Sequence, residues 1–246
     1  MTGDCLLVED HGDGLRMLTL NRPDRLNALD GELVHRLIAE LDRAADSHPD
    51  VRVLVLRGAG TSFCPGADLK WASSGGLRGR GAHAAFQDSL NRMCGKLSTA
   101  PQAVVAAVHG YALAGGLEMA LACDIVVTAE DASLGDEHIN RPILPGGGGS
   151  QRLPRKIGQS RALFYLLTGR RMTGVEAARY GLAAFSVPRP DLGTATLDLA
   201  RELAAKDGHA IDLMKQAVRR GLELPLTDAL SLELFLQSRF RARAQP

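Results

Sequence analysis

The chain has 246 residues, 45% of them apolar, with 29 Lys and Arg set against 28 Asp and Glu. A net charge of +1 provides no strong field for holding nucleic acid or an acidic membrane. No apolar run reaches the ~18 residues of a membrane span, and the length suits one large α/β domain with or without a small helical appendage.

Residues 4–9 (DCLLVE) and 15–20 (LRMLTL) are apolar runs flanking the turn HGDG, which predicts a β-hairpin. A helix follows: Asp30 is a good N-cap, Leu29 and Val34 are placed as a hydrophobic staple, and Leu33, Leu37 and Leu41 make one apolar stripe. VRVLVLRG (51–58) reads as a buried strand. GAGTSFCPGADLK is a loop, and the glycine-rich stretch 71–81 is expected to be mobile. A helix over about 82–97, a buried strand at 102–110 (QAVVAAVHG), a helix from near Gly115 and a strand in DIVVTAE come next.

Residues 135–150 form an irregular loop containing four consecutive glycines. The remainder is mostly helical: Thr173 and Glu176 make a capping box, and 191–206, 209–221 and 227–242 read as three helices. Strands and helices alternate to about residue 135 and helices dominate afterwards, which argues an α/β core with a helical C-terminal region.

Several motifs fail on context. Gly79-x-Gly81-x-x-Ala84 follows no strand, GGGGSQR lacks the Lys-Ser/Thr ending of a phosphate loop, and neither G-x-S-x-G nor H-E-x-x-H occurs. Cys5, Cys64, Cys94 and Cys123 are scattered with no C-x-x-C pair, so bystander thiols in a reducing compartment are expected. No basic segment followed by an apolar core opens the chain, and a cytoplasmic protein is the expectation.

One stretch stands out chemically. In YALAGGLEMALAC (111–123) a single carboxylate, Glu118, sits among small and apolar residues one turn after Gly115 and Gly116. Unpaired amides at a helix start stabilise negative charge, and glycine lets a ligand approach them. A carboxylate partly removed from water there suits proton transfer. An N-terminal glutamate that only supports the helix, with glycines present for packing, fits the residues equally well. A second glycine-bearing loop, FCPGADLK (63–70), follows strand 51–58 as GYALAGG follows strand 102–108. If those strands are parallel neighbours, one amide from each loop can flank a single carbonyl oxygen.

NRPDRLNAL, SFCPGADLK, HGYALAGGLEMALACDI and PGGGGSQRLPR, in this order and spacing, resemble the enoyl-CoA hydratase/isomerase (crotonase) superfamily from about residue 5 to about residue 235. The resemblance implies a crotonase-like α/β fold, a spiral of ββα turns with a helical C-terminal region. Residues 1–190 are expected to form the spiral core with the acyl-CoA site. Residues 191–246 are expected to be the helical region, serving oligomerisation and part of the CoA pocket. It further implies an acyl-CoA thioester substrate and a homotrimer or dimer of trimers.

Carried over by position, the amides of Ala67 and Gly115 form an oxyanion hole and Glu118 is the first acid–base carboxylate. Arg25, Leu26 and Ala28, with Ala67, Asp68, Leu69, Lys70 and Gly115, line the substrate. No metal and no cofactor are expected, coenzyme A being part of the substrate. The expected activity is enoyl-CoA hydratase, a lyase adding water across the 2,3 double bond. Alternatives are another reaction of the family (isomerisation, decarboxylation, C–C hydrolysis) or a non-catalytic acyl-CoA-binding protein.

Two departures matter. The segment that should carry the second glutamate is ASLGDEHINRPILPGGGGS, and spacing from both sides puts His138 there, with Glu137 one residue earlier. Either His138 serves in place of the glutamate, since imidazole both accepts and donates protons near neutral pH, or Glu137 shifts in, or the second group is lost; the first reading is preferred. The glycine stretch 146–149 contains no acid, unlike isomerase-like members, which favours hydration. The chain is also expected to lack the last helical segment that closes over CoA in many members.

Overall fold

The computed structural model describes residues 4–141 and 143–243. β1 (Leu6–Asp10) and β2 (Leu15–Leu20) form the expected antiparallel hairpin. Gly12 and Gly14 make its turn at φ +73° and +82°. α1 (Gly31–Asp46) is capped by Asp30, whose side chain accepts from the Leu33 N–H at 2.9 Å. Its stripe of Leu33, Leu37 and Leu41 is buried with Val34, Ile38 and Ala44.

β3 (Val53–Gly58), β4 (Ala103–Val108), β6 (Ile125–Ala129) and β9 (Phe185–Val187) add successively in parallel, giving a six-stranded sheet in the order β1-β2-β3-β4-β6-β9. The all-apolar β4 is buried along its whole length, as a parallel strand covered on both faces must be.

A second, three-stranded sheet is built from β5 (Tyr111–Leu113), β7 (Ser133–Gly135) and β8 (Met172–Thr173). β4 runs into β5 and then α4 (Gly115–Ala122), and β6 runs into β7, so long strand, short strand and helix repeat as ββα turns. The short strands are absent from the pattern-based expectation because three residues cannot display a two-residue alternation.

Residues 69–76 correct that expectation as well. α2 (Leu69–Trp71) is capped by Asp68 and runs into a wide helical turn over Ala72–Gly76, ended by Gly75 at φ +120°. The Trp71 ring closes this turn against Phe86, centroids 5.0 Å apart, so one aromatic contact organises a glycine-rich stretch.

α3 (Ala82–Thr99) packs between α1 and α4. α5 (Gly149–Ile157) and α6 (Gln159–Thr168) follow the glycine run, and α7 (Gly174–Tyr180) opens with the expected Thr173–Glu176 capping box. α8 (Leu192–Ala204) lies across β3, β4 and β6. α9 (Gly208–Gly221) and α10 (Leu226–Ala242) form a helical hairpin in which only Leu236 of α10 is buried. Among the described residues no helix is long and apolar enough to cross a membrane.

Candidate active site

β3 and β4 are parallel neighbours, with Val53 opposite Ala103, so the loops that leave them emerge on one edge of the sheet. Backbone hydrogen bonds join the two loops: Phe63 N–H donates to His109 O, Cys64 N–H to Tyr111 O and Leu113 N–H to Cys64 O, at 2.8, 2.8 and 3.0 Å. The approach is too close for side chains. A Cβ on Gly116 would lie 2.0 Å from Cys64 O, and one on Gly66 would lie 3.2 Å from Gly115 N.

The first turn of the chain's own N-R-P segment completes this edge. Leu29 N–H donates to Gly66 O and Asp68 N–H to Leu29 O, each at 2.8 Å, which leaves the Ala67 N–H between them without a backbone acceptor among the described residues. The Gly115 N–H, first in α4, is likewise without one. Its direction is set by Ala114, a non-glycine residue at φ 46° and ψ −118°. Such a conformation costs on the order of 1–3 kcal/mol and recurs at functional sites.

Of the residues expected to line a substrate, Arg25, Ala67, Leu69 and Lys70 are exposed, Leu26 is half-buried, and Ala28, Asp68 and Gly115 are buried. The Leu29–Ala67 bridge brings the 25–28 turn beside the 67–70 segment. Asp68 is occupied within the protein: Oδ1 accepts from the Trp71 N–H at 3.0 Å and Oδ2 from Arg22 at 2.9 Å. Its contribution is to hold the loop. Burial opposes its ionisation, but the Trp71 amide and Arg22 outweigh it and keep the carboxyl below its ordinary pKa.

Glu118 is 2% exposed. Its Oε1 accepts from the Gly147 and Gly149 amides, both at 2.8 Å. Two of the four consecutive glycines are explained here. A Cβ on Gly147 would lie 2.8 Å from Glu118 Oε2, and one on Gly149 2.5 Å from Asp136 Oδ2 and 3.3 Å from Glu118 Oε1. Burial raises the Glu118 pKa; the two amides and His138 act against that rise, and Asp136 adds to it. A buried carboxylate with its pKa displaced in this way has the chemistry to carry a proton.

His138 is also buried, on the short helical turn His138–Asn140, with Nδ1 2.8 Å from Asp136 Oδ1. Burial disfavours its cation, but the hydrogen bond and charge of Asp136, with the charge of Glu118, more than compensate and raise its pKa. Glu137 does not enter this group. At φ 55° it turns outward and pairs with Arg171. Glu118 and His138 therefore each bear on the other's ionisation, whereas Glu137 is engaged by Arg171.

Asp136 is the residue missed by sequence reasoning. The signal was an acid two positions before a histidine, close enough to reach a ring nitrogen. Among the described residues no group of three or more His, Cys, Asp or Glu side chains could hold a metal ion.

Comparison with known proteins agrees with the geometry. Residues 10–245 match the family described as enoyl-CoA hydratase/isomerase. The chain is 38% identical over 246 residues to a probable enoyl-CoA hydratase of Rhizobium meliloti, covering 100% of this chain and 93% of that one. It is 36% identical over 233 residues to the probable enoyl-CoA hydratase echA8 of Mycobacterium tuberculosis, covering 95% and 88%. Among solved structures, an enoyl-CoA hydratase from Bacillus anthracis superposes with a TM-score of 0.91 at 34% identity, covering 95% of this chain and 90% of that one.

Proposed function

We propose that this chain, which belongs to the enoyl-CoA hydratase/isomerase family, adds water across the 2,3 double bond of an enoyl-CoA thioester. The observation that carries the reading is a pair of amides without backbone acceptors among the described residues, Ala67 and Gly115, on two hydrogen-bonded loops, with the buried Glu118 one helical turn after Gly115. The thioester oxygen sits between the amides, each contributing roughly 3–4 kcal/mol to the enolate-like transition state. The coenzyme A portion runs along Arg25, Leu26, Ala28, Leu69 and Lys70, and no cofactor beyond it is required.

Glu118 takes a proton from water as the water oxygen bonds to the β-carbon. The α-carbon takes a proton from His138. The cycle leaves Glu118 protonated and His138 neutral, and passing one proton back restores both. The absence of any acid in the glycine run 146–149 supports hydration over double-bond migration.

The chain acts in the cytoplasm as a homotrimer or dimer of trimers. Two different apolar faces support assembly: Leu226, Leu230, Leu234 and Phe235 on α10, and Leu163, Phe164 and Leu167 on α6, all exposed in the isolated chain. Distinct faces suit a head-to-tail contact, which closes into a ring.

The test is turnover of a panel of enoyl-CoA thioesters, followed by loss of enoyl absorbance, with calorimetry of a saturated acyl-CoA. Hydration by the parent and its loss in Glu118→Gln, with binding retained, is the expected result. Tight binding with no turnover of any thioester overturns the hydratase assignment in favour of a non-catalytic acyl-CoA-binding protein.

A further inference from the structure

We infer that Asp136 is the positioning residue of the acid–base pair: it engages Nδ1 of His138, so that Nε2 is the nitrogen offered to the substrate's α-carbon. The inference rests on the hydratase reading of this site and adds a residue to it. Asp136 is 2% exposed, and its Oδ1 lies 2.8 Å from His138 Nδ1. A buried carboxylate at that distance sets both the tautomer and the ring orientation.

The backbone serves the pairing. Glu137 is left-handed and tied outward to Arg171, which places the residues on either side of it, Asp136 and His138, together in the interior. The other carboxylate oxygen, Oδ2, is buried without a hydrogen-bond partner among the described residues. It borders the Gly149 backbone, which Glu118 also borders.

An uncompensated carboxylate in such a place is expensive unless a cation or a donor joins it. The His138 ring, with Nδ1 2.8 Å from Oδ1, is the partner present. The charged groups acting on His138 are Asp136 on its own segment and Glu118 from α4. Both carboxylates favour the protonated form of His138, the form that donates a proton. A carboxylate–histidine pair thus stands where an uncharged acid would otherwise provide the proton.

Nitrogen-15 NMR of the histidine-labelled full chain, with His138 assigned against His138→Gln, tests this without substrate. The neutral ring is expected to carry its hydrogen on Nδ1 and to titrate above an ordinary histidine. In Asp136→Asn the midpoint is expected to fall. With the best enoyl-CoA, that variant should lose about 10- to 100-fold in kcat, the size of effect an orienting partner exerts on a histidine. The alkaline limb of its kcat/KM profile should move to lower pH, with thioester affinity unchanged.

A parent ring protonated on Nε2, or a midpoint and alkaline limb that stay in place in Asp136→Asn, overturns the inference. If Asp136→Asn does not fold, the tautomer and midpoint of the parent decide alone. Failure of the parent to hydrate any thioester sinks the reaction assignment and leaves the NMR result standing.

Discussion

Arg22 and Asp68, 46 residues apart, meet at 2.9 Å, and the same guanidinium nitrogen reaches Asp30 at 2.8 Å. One side chain therefore ties the cap of α1 to the loop carrying the Ala67 amide. Breaking a buried pair by removing one partner costs about 3–5 kcal/mol. Arg22→Ala should lose stability of that order in denaturant unfolding and, where it still folds, lower kcat by displacing the amide. Because Asp68 has a depressed pKa in the fold, its stabilising share is present above the ordinary carboxylate range and is lost as pH falls through the depressed value. Acid unfolding of Arg22→Ala should accordingly be shallower than that of the parent.

Glu118 is the opposite case. Its pKa is raised in the fold, so ionising it costs more in the folded chain than in the unfolded one. The associated stability is full below the ordinary glutamate pKa and declines as pH rises through the raised value. Glu118→Gln should therefore have a higher Tm than the parent at pH 8, with the gap narrowing toward pH 4. Its kcat should fall by about 10²–10⁴, the usual contribution of a positioned acid or base. Paired melting and rate measurements across pH check both halves.

Gly147→Ala places a Cβ 2.8 Å from Glu118 Oε2. The carboxylate can yield, so the fold should survive while turnover drops by about 10²-fold through misplacement of the proton carrier. Gly116→Ala differs, because its Cβ meets the Cys64 carbonyl at 2.0 Å and backbone cannot yield locally. That variant should lose several kcal/mol, seen as a large fall in Tm, along with all activity.

Ala114→Gly relieves the positive φ at the start of α4. Stability should rise by up to ~1 kcal/mol, while kcat falls because the Gly115 amide is less firmly aimed. A variant that loses both stability and activity would remove strain as the reason for this conformation.

On α10, the double variant Leu230→Glu, Leu234→Glu charges an exposed apolar face without touching the chain's interior. Light scattering should show a monomer in place of the proposed homotrimer or dimer of trimers, with the circular dichroism of the folded chain preserved.

The long elements were legible because their patterns exceed one period: the hairpin, the capped α1 and the apolar β3 and β4 all stand where residue spacing puts them. Gly115, Gly116 and Glu118 could be grouped with the 63–70 loop because loops that follow adjacent parallel strands share an edge. What escaped was local. β5, β7 and β8 are two or three residues each. The turn at 72–76 depends on Trp71 meeting Phe86. Asp136 looked like one polar residue in a loop, because only the left-handed kink at Glu137 shows which way it faces.

The anion-holding groups proposed here belong to the main chain, at Ala67 and Gly115. No codon change deletes an N–H short of proline, so drift can reshape the acyl pocket while leaving that grip intact. Excising one donor calls for chemistry outside the genetic repertoire: an ester linkage in place of the peptide bond at residue 67 or 115, with every side chain left as it is.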